Sequence, residues 1–319
     1  MKLLPFIVLL STSLIFLACD DSAKGRLLKV GISPWPGYEP LALAAQKNFF
    51  GSSKIRIIRF ATPTESYRAL RDGIIDVAAF TADEVFHYAE VRDKPRIFLV
   101  LDILNGADAI VARKDIKSLD DLKGKRLGVE GSALGDYVMH RALDFTKNLR
   151  VSDLKIKTFE INEQERAFLA NEIDAAITYE PTKSLLLNAG AHILFDSSQI
   201  PNEIVDVLVT NDKTIEKRSV DLTNLSEGWF KALEYIKKHP KLAMKMMSKQ
   251  ESTTAFEFEK GFNDLIIPTR SKNKEMLLAN SLMHQALQRL AHLMYQNESL
   301  KKEIEVKPLL DNRIIQRLK

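Results

Sequence analysis

From residue 27 onward, short apolar runs alternate with stretches whose apolar positions recur every three or four residues. The first pattern fits buried strands and the second the inner face of a helix, so their alternation predicts an α/β protein with largely parallel sheets. Strand-like runs fall at 27–32, 55–60, 74–80 and 96–101, with helical spacing at 40–49, 65–71 and 83–91 between them. The rhythm then restarts. Strands are expected at 126–130, 155–159, 175–179 and 192–195, helices at 134–145 and 163–170, and a further helix opened by Pro181. Two half-units of the same kind are laid end to end.

Two more apolar runs, 109–112 after Asn105-Gly106 and 205–209 before Asn211-Asp212, are placed to carry the chain between the halves. Crossing at the first and returning at the second makes the first lobe discontinuous and leaves a cleft between two sheets. Beyond residue 220 the pattern is helical. Met276, Met283, Leu287, Leu290 and Met294 form a stripe that suits a coiled-coil seam or, as expected here, the buried face of a helix on its own domain. Trp229, Met244, Met246 and Met247 read as core filling.

Composition, 45% hydrophobic and 28% charged over 319 residues, fits a folded chain with room for two domains. The 46 Lys and Arg against 42 Asp and Glu leave a formal charge of +4. Lys301, Lys302, Arg313, Arg317 and Lys319 make the C-terminal end basic, which fits a solvated helix face and tail, and no nucleic-acid partner is expected. The histidines lack metal-ligand spacing and no second cysteine joins them, so no metal or other cofactor is expected.

Residues 1–18 break the pattern. Lys2, an apolar stretch over 3–17 and the small Ala18 precede Cys19, the chain's single cysteine, in the manner of a secretory signal peptide. The stretch falls short of the ~20 apolar residues that span a bilayer. Phe16-Leu17-Ala18-Cys19 resembles a bacterial lipobox, which implies cleavage before Cys19 and acylation of its thiol and new amino group. Asp20 and Asp21 resemble the signal that retains a lipoprotein at the periplasmic face of the inner membrane. Residues 19–26 then form a lipidated tether.

Ser33-Pro34-Trp35-Pro36-Gly37-Tyr38-Glu39-Pro40-Leu41 resembles the opening of the nitrate, sulfonate, taurine and thiamine-precursor binding proteins of ABC transporters. The run 69–78, containing Arg71-Asp72-Gly73-Ile74-Ile75-Asp76, is similar to their helix-Gly-strand signature, and 117–132 to their second-lobe entry. Asn171-Glu172-Ile173-Asp174-Ala175, running on to Glu180-Pro181, resembles the signature mirrored in that lobe, departing from it at Asn171, where Gly is common, and at Tyr179, where Trp is frequent. The resemblance implies a type II periplasmic binding protein: two α/β lobes joined by two crossover strands, with a helical C-terminal region. The expected division is 27–107 with 208–319 as lobe 1 and 108–207 as lobe 2.

Ligands of open α/β sheets bind beyond the carboxyl ends of strands. Here the segments so placed contain Glu39, Glu65, Asp83, Glu84, Asp108, Glu130, Asp136, Glu180 and Asp206 against Arg68. That balance favours a cationic, zwitterionic or heteroaromatic metabolite over an inorganic oxyanion. Trp35, Tyr38 and Tyr179 are expected to enclose it, with Glu39, Ser66, Thr81, Asp108, Ser132 and Glu180 supplying polar contacts. The expected protein is a monomeric solute-binding lipoprotein that delivers its ligand to an ABC permease; alternatively it signals to a membrane sensor protein. No activated nucleophile, acid-base pair or metal set points to an enzyme.

Overall fold

The computed structural model describes residues 26–91, 95–131, 133–251 and 253–318, so the expected signal peptide, Cys19, the expected tether up to residue 25 and Ser132 lie outside the described residues. The first lobe opens with β1 (Leu28–Ile32), α1 (Glu39–Gln46), β2 (Ile55–Arg59), α2 (Pro63–Arg71), β3 (Val77–Thr81), α3 (Ala82–Val91) and β4 (Pro95–Leu104). The second contains β5 (Ala109–Ala112), β6 (Arg126–Val129), α4 (Ala133–Leu143), β7 (Lys155–Thr158), α5 (Gln164–Leu169), β8 (Ala175–Thr178), α6 (Thr182–Asn188) and β9 (His192–Asp196). β10 (Val205–Asn211) returns to the first sheet. After it come α7 (Asp212–Lys217), α8 (Ser219–Lys238), α9 (Pro240–Ser248), α10 (Ala255–Asn263), β11 (Leu265–Ile266), α11 (Arg270–Met276) and α12 (Leu282–Gln296).

The first sheet runs β11-β4-β10-β3-β1-β2 and the second β7-β6-β8-β5-β9. In each, two parallel pairs (β1 with β2 and β3, β6 with β7 and β8) meet an antiparallel strand, β10 against β3 and β5 against β8. The two sheets thus repeat one topology. The repeat extends to single bonds: Asp76 returns a carboxylate to the backbone N–H of Lys29 at 2.9 Å, and Asp174 does the same for Arg126 at 2.8 Å. Gly31 and Gly128 sit at matching points of β1 and β6, where a Cβ would lie 2.4 Å from Ile75 Cδ1 and 2.8 Å from Ile173 Cδ1. At each point a side chain larger than glycine would make the isoleucine of its signature shift.

Alternation explains how the second sheet is filled on both sides. Ile110, Ala112, Ala175 and Ile177 join the main core, while Ala109, Val111 and Ala176 point to a smaller cluster with Phe168 of α5 and Leu186 of α6. The stripe is buried but does not lie on one helix: Met283, Leu287, Leu290 and Met294 form the inner face of α12, whereas Met276 ends α11, because the chain turns before the Ser281 cap. Two further expectations change. β3 begins at Val77 and not at residue 74, because Gly73 turns the chain with φ 72° and leaves Ile74 57% exposed. The basic end is no free tail: Asp311 N–H donates to Ile97 O at 2.8 Å, and Leu309, Ile314, Ile315 and Leu318 are buried.

Candidate functional site

Residues 33–38 lead from β1 into α1 by a 3-10 turn over Pro36–Tyr38. Trp35 and Tyr38 are both buried, and the Trp35 ring meets Tyr179 of the second lobe edge-on, centroids 6.2 Å apart at 75°. Gly37 is required here. A Cβ at that position would stand 2.0 Å from Asp102 Oδ2 and 2.7 Å from Trp35 Nε1, so the turn is pressed directly on the Asp102 carboxylate. The backbone of the turn is fixed from behind, since Trp35 N–H donates to Glu251 Oε1 at 3.2 Å.

Behind Trp35, the crossover strands carry carboxylates. Asp102 of β4 and Asp206 of β10 face each other in register, with Asp206 also opposite Thr81 of β3. Asp108 lies one residue before β5. All three are buried, and both oxygens of Asp102, Oδ2 of Asp108 and Oδ1 of Asp206 lack a hydrogen bond of good geometry, although Asp206 and Trp35 lie near enough to Asp102 to lower its proton affinity. Trp35 Nε1 and Thr178 Oγ1 are buried and unpartnered in the same way. Orphaned buried polar atoms are uncommon, and several together call for a partner, water or ligand, that completes them.

Electrostatics agree. Burial pushes Asp102 and Asp108 up to about 7, and Glu84 of α3 up to about 8 with Asp83 repelling it. Asp206 is raised by burial and then by repulsion from Asp102, Asp108 and Glu84. Tyr38, beside Asp206, is likewise raised by burial and by the surrounding carboxylates. Desolvation raises all of these groups, and like charge adds to it at Asp108, Glu84 and Asp206.

The second lobe adds the opposite wall. Tyr179 O–H donates to Glu130, 3.2 Å from each oxygen, and a small enclosed cavity is lined by Asp108, Glu130, Leu134, Ile177, Thr178 and Tyr179. Glu180, buried, accepts from Ser184 N–H at 3.2 Å and from its hydroxyl at 3.1 Å. Lys183, one helical turn after Glu180, ion-pairs with it at 3.2 Å, donates to Gly106 O at 2.8 Å and pairs with Asp264.

The structure brings Trp35, Tyr38, Asp108 and Tyr179 to one place, with Thr81 nearby through its bonds to Glu84. Glu39 is fully buried against Arg59 of β2. The Ser66 hydroxyl is buried under Gly31 of β1. Of the other counted charges, Glu65 caps its own helix through Ala61 N–H, Asp136 faces His140, and Arg68 is exposed. Sequence reasoning passed over Asp102, Arg59, Lys183 and Glu251. A signal for Asp102 was present: one carboxylate interrupts the apolar run Ile97-Phe98-Leu99-Val100-Leu101 before Ile103-Leu104. Among the described residues, no group of three or more His, Cys, Asp or Glu is arranged to hold a metal ion.

Two repeated α/β lobes joined by β4–β5 and β10, with unpartnered polar groups on those crossovers, define a type II periplasmic binding protein fold. Residues 35–243 match the family described as NMT1/THI5 like, and the chain belongs to that family. The taurine-binding periplasmic protein of Escherichia coli is 22% identical over 180 residues, 56% of each chain. The chain spans about half the length of the first curated relatives it matches, 54% in the binding proteins of Brucella. The periplasmic aliphatic sulphonate binding protein SsuA from Escherichia coli superimposes with a TM-score of 0.77 at 17% identity, over 92% of this chain and 99% of that one. The desulfurization enzyme DSZB has the same fold, with a TM-score of 0.69 at 15% identity over 91% and 98%.

Proposed function

We propose that this chain is an exported solute-binding protein that closes its two lobes on a small organic ligand with a cationic or π-rich portion and delivers it to an ABC permease. Its lobes divide near the expected 27–107 with 208–319 and 108–207, moved earlier at the return because β10 pairs with the first sheet from Val205 onward, and closure about the crossovers captures the ligand. The observation that carries the reading is the group of buried, unpartnered carboxyl oxygens on Asp102, Asp108 and Asp206 beside Trp35. An inorganic anion would meet repulsion at this position, whereas a cation supplies the missing partner and gains from the ring faces of Trp35 and Tyr38.

Cys19 holds the lipid in this reading, and Asp20 keeps the protein at the periplasmic face of the inner membrane. With the chain's one cysteine acylated, no thiol remains for chemistry in the cleft. Native mass spectrometry of the purified protein tests the ligand class directly. An organic cation or a heteroaromatic amine released on denaturation supports it. Tight binding of taurine or nitrate, with no such molecule found, would overturn it.

A further inference from the structure

The unpartnered groups fall into two sets, one in each lobe. Asp102 and Asp206 belong to the first sheet, facing each other across β4 and β10, with Trp35 Nε1 and Tyr38 beside them. Asp108 belongs to the second, where the next residue, Ala109, pairs with Thr178, whose hydroxyl is also buried and unpartnered. Asp102 is 0%, Asp206 1% and Asp108 3% exposed, so water offers little screening to either set. Lys183 is the cation felt at Asp108, yet its ammonium already serves Glu180, Asp264 and Gly106 O.

We infer that the ligand is a small dication, with one cationic centre paired to Asp102 and Asp206, the other to Asp108, and a short apolar segment beside the Trp35–Tyr179 ring pair. This rests on the solute-binding reading and narrows it. A monocation satisfies one set and leaves the other as buried carboxyls that must stay protonated or ionise without a partner. Two linked cations satisfy both, one from each lobe, so ligand charge and lobe closure become a single event. Aliphatic diamines and amino-guanidines have this chemistry; an amino-acid zwitterion places a carboxylate where the second cation belongs.

Calorimetry on the full-length protein at pH 8 tests this with 1,4-diaminobutane, 1,5-diaminopentane and agmatine against 1-aminobutane and 1-aminopentane, with taurine and nitrate as anionic controls. A dication should bind roughly tenfold to hundredfold tighter than its matched monoamine, the range of one charge-assisted hydrogen bond. Asp108→Asn should bring the two to within about threefold by weakening only the dication. Thermal unfolding without ligand checks that this variant is folded, the expected result for a change that neutralises a group burial already disfavours as a charge. Equal binding of monoamine and dication, with Asp108→Asn acting on both alike, would overturn the inference and leave the solute-binding reading standing. Binding of the anions and of no amine would overturn both.

Discussion

Arg59 grips the carboxylate of Glu39 with both terminal nitrogens, 2.6 Å to each oxygen, at the base of the helix that follows the Trp35 turn. Glu39 is fully buried, and the Glu251 carboxyl beside it is pushed up to about 9, by burial first and by Glu39 second. Glu251 is therefore protonated at neutral pH and shares the site with Glu39 without repelling it. Arg59→Met would strand a buried carboxylate, and a loss of about 3 kcal/mol is expected in urea unfolding. Glu251→Gln keeps the acceptor for Trp35 N–H and adds no charge, so a change below about 1 kcal/mol is expected, while Glu251→Ala frees the turn and weakens ligand binding. Equal effects of Gln and Ala on binding would show that Glu251 does not position Trp35.

Lys183 joins the second lobe to the C-terminal helices. It sits on α6, is 3% exposed on its side chain, and reaches Asp264 just beyond α10 as well as Gly106 between β4 and β5. Lys183→Met leaves Glu180 and Asp264 without their shared cation. A loss of about 3 kcal/mol is expected, together with a larger radius of gyration in small-angle scattering without ligand. An unchanged scattering curve would mean that the lobes are held by packing alone.

Charge that is costly in the fold gives a definite pH dependence. The unfolded chain releases carboxyl protons near pH 4, while folded Asp102 and Asp108 hold theirs to about 7 and Glu84 to about 8. Between these values the folded state binds more protons, so stability falls as pH rises from about 5 to 8. Asp174, held down at about 2 by Arg126, acts in the other direction and only below about pH 4. The ligand-free protein should thus melt highest near pH 5, and Asp102→Asn should raise its melting temperature at pH 8 by about 3 °C or more but not at pH 5. Binding of a cation should release protons, visible as a dependence of calorimetric heat on buffer. A melting temperature that rises from pH 5 to 8 would rule out burial as the dominant influence on these groups.

How far the chain could be read in advance follows from how local each signal is. Strands such as β6 and helices such as α12 announce themselves by period, because their neighbours in sequence are their neighbours in space. β11 does not, being only Leu265–Ile266 paired to β4. Counting charges segment by segment picked out Asp108 and Asp206 but assigned Glu39 to the cleft, since its partner Arg59 comes from the next strand over. Lys183 escaped for the same reason: Asp264 is 81 residues away. Asp102 sat just past the expected end of its strand, although a lone carboxylate in an apolar run is itself a sign of a buried, purposeful charge.

The proposed anchor at Cys19, which lies outside the described residues, is tested separately. Cys19→Ala should leave the protein unprocessed or release it from the membrane fraction, and should abolish labelling by a palmitate analogue. Equal labelling of wild type and variant would sink the lipid anchor while leaving the cleft untouched. Asp20→Ser should move the protein outward in a host that reads the retention signal.

The repeated signature predicts a substitution that crosses between lobes. Gly73 and Asn171 close the helices of their respective units with φ of 72° and 57°, in the left-handed region that glycine enters freely and asparagine tolerates. A Cβ at Gly73 meets nothing within 4 Å, so the backbone angle is what a substitution there contends with. Gly73→Asn should therefore cost less than about 1 kcal/mol, whereas Gly73→Val, which is branched at Cβ, should cost about 2 kcal/mol or more. The reciprocal Asn171→Gly should be close to neutral, because the Arg126 contact to the Asn171 backbone carbonyl, 2.6 Å, survives the loss of a longer side-chain contact at 3.4 Å. If Gly73→Asn were as damaging as Gly73→Val in urea unfolding, the two turns would not be equivalent, and the resemblance between the halves would end at their strand order.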